Sequence, residues 1–306
     1  MINRDIVLVG VDWGTTHRRA YALDARGVCI AEHADDEGAL ACKNRFPQAL
    51  KSLLAGMGAE PAQVVMSGMV GSALGWVTVP YASADVALTQ LRQHLHAVSL
   101  EGSNTKVAIV PGYCIRDASG QPDVMRGEET QLLGAVHSGH VNGWFLLPGT
   151  HSKWVHLEQG RVTRLRTYLT GELFNLLSQH GTLAAAASNV PAAWDAEVFH
   201  QGVDAARASQ GALSHQLFGC RARVVSGDMP AAAAHAYLSG LLIGAEFHDV
   251  LGASNALPDS TPIQVIASPA LVQHYQAAAS HLGLTLKVLD ARAIFIAAIH
   301  ALRTFP

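Results

Sequence analysis

One pattern occurs twice in this chain and narrows its fold more than any other feature. An apolar run of strand length over 6–11 breaks into Asp12-Trp13-Gly14-Thr15-Thr16, and strand patterns follow over 18–23 and 28–32. The run 144–147 breaks in the same way into Pro148-Gly149-Thr150-His151-Ser152-Lys153, again followed by strand patterns over 154–157 and 161–167. Short apolar runs bounded by glycine turns are strand signals. A unit repeated in kind suggests two related domains, each opening on three strands and a Gly-Thr turn.

Between and after these units the pattern alternates. Helical periodicity covers 46–54, 85–98 and 129–137, with strands over 63–66 and 106–110. Further on come helices over 173–180, 230–251, 268–282 and 291–302, with strands over 263–267 and 286–289. This alternation predicts an α/β protein, divided into 1–123 and 124–306, whose last helix is free to pack back on the first domain.

Composition supports a packed core and excludes several functions. Of 306 residues, 49% are hydrophobic and 15% charged, which is not a disordered composition. The net charge of −3 comes with no basic stripe, which argues against a nucleic-acid partner. Cys29, Cys42, Cys114 and Cys220 are not paired at two-residue spacing, so they read as reduced thiols rather than a zinc or redox motif. The 16 histidines are scattered and form no HExxH. No leader pattern and no apolar run of roughly 20 residues stands out, so a cytoplasmic location without membrane contact is expected.

Three segments have the makings of a phosphate chemistry. Asp12 at a strand end, followed by Gly14, Thr15 and Thr16, suits a metal–phosphate turn, where glycine lets the backbone approach and N–H groups cradle oxygens. An Asx-type hairpin turn reads equally well. Gly149, Thr150, Ser152 and Lys153 form a second such turn, against the alternative of a plain hairpin with a solvated lysine. Arg126-Gly127-Glu128-Glu129 opens a predicted helix, offering a guanidinium for a carboxylate and acids for proton transfer. Acids also favour a first helical turn for dipole reasons alone. The stretch 67–72, with Gly68 and Gly71, reads as a substrate loop or a tight turn.

Together these segments resemble the 2-dehydro-3-deoxygalactonokinase family. The resemblance rests on Val11 to Thr16, Met66 to Ser72 with Gly75-Trp76 and Pro80-Tyr81, Val124 to Ala135, Pro148 to Trp154, Leu169 to Leu173, and Leu238 to Glu246. It implies two ribonuclease-H-like domains of the actin-like ATPase fold around a central cleft. It implies ATP and Mg²⁺, and a 2-keto-3-deoxy sugar acid phosphorylated at its 6-hydroxyl in galactonate catabolism. Asp12 would serve the metal. Gly14, Thr15, Thr16, Gly149, Thr150, His151, Ser152, Lys153, Gly240, Gly244, Ala267 and Ser268 would serve ATP. Met69, Gly71, Ser72, Arg126 and Arg166 would hold the sugar acid. Closure over the substrates would keep ATP hydrolysis slow in the absence of sugar.

The chain departs from the pattern of many sugar kinases at two places. The position two residues before the second-turn glycine, where an aspartate base is common, is Leu147. The base is therefore expected at Glu129, with Glu128 second and Asp12 as the third carboxylate. Relatives carry Ala-Gly-Ser-Ser near the adenosine, where this chain has Ala267-Ser268-Pro269-Ala270. Other readings stay open: a kinase of the gluconate-derived epimer, or a nucleotide-binding regulator that has lost turnover. A homodimer is compatible with the chain.

Overall fold

The computed structural model describes Asn3 and residues 5–187, 193–208, 213–253 and 262–304. Backbone contacts divide the chain into two units. The first comprises Met1–Asn142, Val155–Leu165 and Asp290–Pro306, and the second Gly143–Trp154 and Arg166–Leu289.

The first unit opens with the strands β1 (Leu8–Trp13), β2 (Arg18–Leu23) and β3 (Cys29–Asp35). After helix α1 (Phe46–Gly56) come β4 (Gln63–Gly68), β5 (Ala82–Ser83), β6 (His96–Val98), β7 (Lys106–Ile109), β8 (Tyr113–Arg116), β9 (Pro122–Met125) and helix α2 (Glu128–His137). The main sheet has the order β3-β2-β1-β4-β7-β6, and β5-β8-β9 form a smaller one. β1 pairs antiparallel with β2 and parallel with β4, so it is central and reads as an apolar run. Trp13 is fully buried and packs on Phe46 of α1, ring centroids 5.3 Å apart.

The second unit carries β10 (Gly143–Leu147), β11 (Ser152–Glu158), β12 (Arg161–Tyr168), β13 (Ile263–Val265) and β14 (Leu286–Val288). Their order is β12-β11-β10-β13-β14, and the far ends of β11 and β12 are counted with the first unit. Its helices are α3 (Thr170–Gln179), α4 (Gly181–Ala187), α5 (Ala196–Ala208), α6 (Leu213–Ser226), α7 (Ala234–Ala253) and α8 (Pro269–His281). Both sheets thus run third-second-first strand, then a parallel fourth and fifth. That is the ribonuclease-H-like order that the family resemblance implies.

The closing helix α9 (Ala291–Leu302) is capped by Asp290, whose carboxylate accepts the Arg292 and Ala293 N–H groups at 2.9 and 3.1 Å. It belongs to the first unit, where glycines let it come close. A Cβ on Gly134 of α2 would lie 1.9 Å from the Ile294 carbonyl oxygen, and one on Gly10 of β1 2.5 Å from Ile299.

Two expectations differ from the structure. The first unit runs to Asn142 rather than ending at 123, because α2 packs on α9 and its buried Glu129 bonds Ser67 of β4. The helix expected over 85–98 is instead a 3-10 stretch, Leu88–His94, followed by β6. Leu88 and Leu91 are both buried at the three-residue spacing of a 3-10 helix, and antiparallel pairing of β6 with β7 claims the rest.

Candidate active site

In the first unit, three chain segments meet at the carboxyl end of β1. Asp12 lies opposite Arg19 on β2 and Ser67 on β4. Beyond it, the turn of Gly14 to His17 is closed by the Gly14 N–H donating to the His17 carbonyl at 2.9 Å. Residues 38–40 donate to the carbonyls of Gly14, Thr15 and Thr16. Among the described residues the Thr15 and Thr16 N–H groups donate to no backbone carbonyl. The turn therefore has its acceptors satisfied and its donors free, the arrangement an anion needs.

Gly68 ends β4 at φ 91°, and a Cβ there would meet the Trp13 carbonyl at 2.7 Å and an Asp12 carboxylate oxygen at 3.7 Å. Gly127, at φ 110°, brings the start of α2 against Gly68. These backbones need glycine, and Glu128 comes within electrostatic reach of Asp12. Burial raises the Asp12 pKa to about 6; Arg19 opposes the rise and Glu128 adds to it.

The two glutamates differ sharply. Glu129 is fully buried. One oxygen accepts the Gly127 N–H at 2.7 Å, and the other accepts the Ser67 and Thr130 hydroxyls at 3.4 and 3.0 Å. Burial, with Glu128 nearby, lifts its pKa to about 8. A carboxyl so enclosed has no open face for a substrate hydroxyl, so the expectation that Glu129 is the base gives way. Glu128 is partly exposed and accepts the Arg126 N–H at 3.0 Å.

Arg126 also departs from expectation. Its guanidinium stacks on Tyr81 at 4.4 Å and donates to the Val79 carbonyl at 2.7 Å, while Nε and Nη1 are buried without a partner. A Cβ on Gly71 would lie 2.9 Å from Nη1. Arg126 thus braces the 69–81 segment rather than facing outward. In that segment Ser72 donates to the Met69 carbonyl at 2.8 Å and accepts the Leu74 N–H at 3.1 Å, a local turn.

In the second unit the turn after β10 repeats the arrangement. The N–H groups of Gly149 and Thr150 donate to no backbone carbonyl among the described residues. The Thr150 carbonyl accepts the Glu172 N–H at 2.9 Å, and His151 meets the Glu172 carboxylate at 2.6 Å. Helix α3 therefore begins directly on the turn. Gly171 makes this contact, since a Cβ there would sit 2.3 Å from the Gly149 carbonyl oxygen. A helix start beside free N–H groups attracts anions. Lys153 is only 5% exposed, and no carboxylate among the described residues pairs with it.

From Gly149 a cavity of about 320 Å³ extends between α3, α7 and α8. Gly171, Phe174, Trp194, Ser239 and Tyr275 are among its walls. Of the expected ATP residues, Ala267 is partly buried and Ser268 caps α8 without a side-chain bond.

Four other expectations are corrected by local packing. Ser152 is buried and donates to Glu246 at 2.8 Å, so it is not a free phosphate hydroxyl. Arg166 is paired with Asp249, which also accepts the Tyr168 hydroxyl at 2.6 Å. Gly240 and Gly244 lie where α7 packs on α5, a Cβ there falling 2.0 Å from the Phe199 oxygen and 2.8 Å from the Val203 Cα. The four-residue spacing of Gly240 and Gly244 signals such helix packing. Missed were Arg19, Thr170, Gly171, Trp194, Glu246 and Tyr275. Thr170, Gly171 and Glu246 lay in segments that carry the family resemblance, while Arg19, Trp194 and Tyr275 carried no sequence signal.

The chain was compared with known proteins. The family model for 2-keto-3-deoxy-galactonokinase matches residues 12–302. A probable 2-dehydro-3-deoxygalactonokinase of Rhizobium meliloti is 35% identical over 286 residues, covering 92% of this chain and 91% of the relative. The 2-dehydro-3-deoxygalactonokinase of Escherichia coli is 32% identical over 295 residues, 96% of each chain. A candidate 2-dehydro-3-deoxygalactonokinase from Sinorhizobium meliloti, known from its crystal structure, superposes with a TM-score of 0.85 at 32% identity. That match covers 96% of this chain and 95% of the other. With the doubled ribonuclease-H-like topology and a match over nearly its whole length, the chain belongs to the 2-keto-3-deoxy-galactonokinase family.

Proposed function

We propose that this chain transfers the γ-phosphate of ATP to the 6-hydroxyl of 2-dehydro-3-deoxy-D-galactonate. The observation that carries this reading is the Gly149-Thr150 turn, whose free N–H groups adjoin both a helix start and a nucleoside-sized cavity. The triphosphate would lie on that turn with Lys153, and the base in the cavity. In the first unit, the matching turn at Gly14, Thr15 and Thr16 would hold a phosphate group on its own free N–H groups. Arg19 supports this, being exposed beside Asp12 without an ion pair among the described residues.

Among the described residues no three His, Cys, Asp or Glu side chains gather at one point. Asp12 would supply a carboxylate to a Mg²⁺ ion bound together with phosphate oxygens. The metal would neutralise charge on the phosphate oxygens. Glu128 would accept the proton of the attacking hydroxyl, since it is partly exposed and lies beside Asp12. Arg126 would position the 69–72 loop, whose N–H groups would meet the sugar acid. No helix among the described residues is long and apolar enough to cross a membrane.

Incubation with Mg·ATP and the sugar acid, followed by phosphorus NMR, tests the reading. A new phosphomonoester coupled to the C6 protons is expected. Unchanged ATP with folded protein would contradict it.

A further inference from the structure

Glu246 closes the 238–246 segment that marks the family resemblance, yet nothing in the reaction above uses it. It sits in α7 and is 1% exposed. One carboxylate oxygen accepts hydrogen bonds from the Ser152 hydroxyl at 2.8 Å and the Trp154 indole N–H at 2.7 Å. The other accepts the Tyr275 hydroxyl at 2.7 Å, which also reaches the Ser152 oxygen at 3.2 Å. The Thr170 hydroxyl bonds the same carboxyl. Donors from β11, α8 and α3 therefore converge on a side chain of α7.

Those donors belong to the parts of the nucleotide site. Ser152 leaves the phosphate turn two residues after Thr150. Thr170 opens α3, and its neighbour Gly171 rests on the Gly149 carbonyl. Thr170 and Tyr275 also line the cavity. A buried carboxyl holding this many donors cannot turn without leaving one unsatisfied, so the arrangement is over-determined. Burial raises the Glu246 pKa and the four donors oppose that rise. A buried acid costs more than an apolar residue of similar size, and here it ties separate segments to one point.

We propose that Glu246 is a positioning residue that fixes the 149–150 phosphate turn relative to the nucleoside cavity, and so sets the affinity for nucleoside triphosphate. This rests on the nucleotide reading of the site. Glu246 touches no substrate; it acts through Ser152, Thr170 and Tyr275.

The test compares Glu246→Gln, Tyr275→Phe and the double variant with the unaltered protein. Titration calorimetry reads the affinities for a non-hydrolysable ATP analogue and for adenosine. Steady-state kinetics read the KM of each substrate and kcat, and a melt reads Tm. Each single variant is expected to bind the analogue about tenfold more weakly with the sugar-acid KM within about twofold, and Glu246→Gln, at a position that does not line the cavity, to keep its adenosine affinity within about twofold. The double variant should be no weaker than Glu246→Gln, because both changes act through one network. Unchanged analogue affinity in the single variants overturns the inference. So does a parallel loss of all three affinities in step with Tm, which is mere destabilisation. If Glu246→Gln does not fold, Tyr275→Phe decides by its analogue affinity against its sugar-acid KM and Tm. Absence of analogue binding to the unaltered protein overturns the nucleotide reading and this inference together, whereas unchanged binding in the variants overturns this inference alone.

Discussion

Glu129→Gln separates two roles for the buried carboxyl of α2. In the folded protein this group has a pKa of about 8, against 4.5 for an ordinary glutamate. Between those values the folded state holds a proton that the unfolded state has released. Stability is therefore greatest below pH 4.5 and falls as pH rises through 8, where the loss is complete. Each pH unit in that window costs about 1.4 kcal/mol, so by pH 7 the loss is on the order of 3 kcal/mol. A glutamine mimics the protonated acid. Its oxygen can still accept the Gly127 N–H and its amide can donate to the Thr130 hydroxyl, while nothing titrates. Glu129→Gln should flatten the decline in stability between pH 5 and pH 8 and raise Tm at pH 7, read by urea unfolding and thermal melts in matched buffers. Because Glu129 has no open face, turnover should stay within about threefold, where loss of a general base costs a hundredfold or more. Unchanged pH dependence in the variant refutes the burial argument; a hundredfold fall in kcat with a normal Tm refutes the reassignment of the base.

The other predictions concern single contacts. Glu128→Gln should lower kcat about a hundredfold or more at pH 7 with both KM values little changed, measured in steady state; full activity would remove Glu128 from the chemistry. Gly171→Ala places a methyl 2.3 Å from the Gly149 carbonyl oxygen. It should raise the ATP KM while leaving the sugar-acid KM alone; an unchanged ATP KM would detach the α3 start from nucleotide binding. Gly134→Ala puts a methyl 1.9 Å from the Ile294 carbonyl oxygen and forces α2 from α9. A loss of about 3 kcal/mol in urea unfolding is expected, and a loss below about 0.5 kcal/mol would contradict the packing.

Much of the scaffold was legible because its signals are local. The run into Gly14 and the run into Gly149 each combine apolar strand residues with a glycine turn, and both hairpins form as read. Helix α9, Ala291–Leu302, begins and ends where its periodicity suggests. The 85–98 segment was misread because its fate is set by pairing with β7, a partner distant in sequence. Helices α5 and α6 left no clear pattern, and α5 shows itself only through the glycines of α7 that meet it.

The site was less legible, because burial and pairing decide roles that residue type leaves open. Glu128 and Glu129 are alike in sequence, but the helix start turns one toward Ser67 and leaves the other partly exposed. Ser152 lies beside Lys153, but strand alternation sends it inward to Glu246. Arg166 looked available for a carboxylate, yet Asp249, 83 residues on, already holds it. Each outcome depends on a contact far along the chain.

The central claim, a kinase for one keto-deoxy sugar acid, is tested most directly by ADP release from Mg·ATP. The assay compares 2-dehydro-3-deoxy-D-galactonate, its gluconate-derived epimer, galactose and no sugar. A large rate with the galactonate derivative, and little with the other three, is the predicted result. Equal rates with the two epimers would contradict the assigned substrate, and ADP release that no sugar stimulates would contradict the kinase itself.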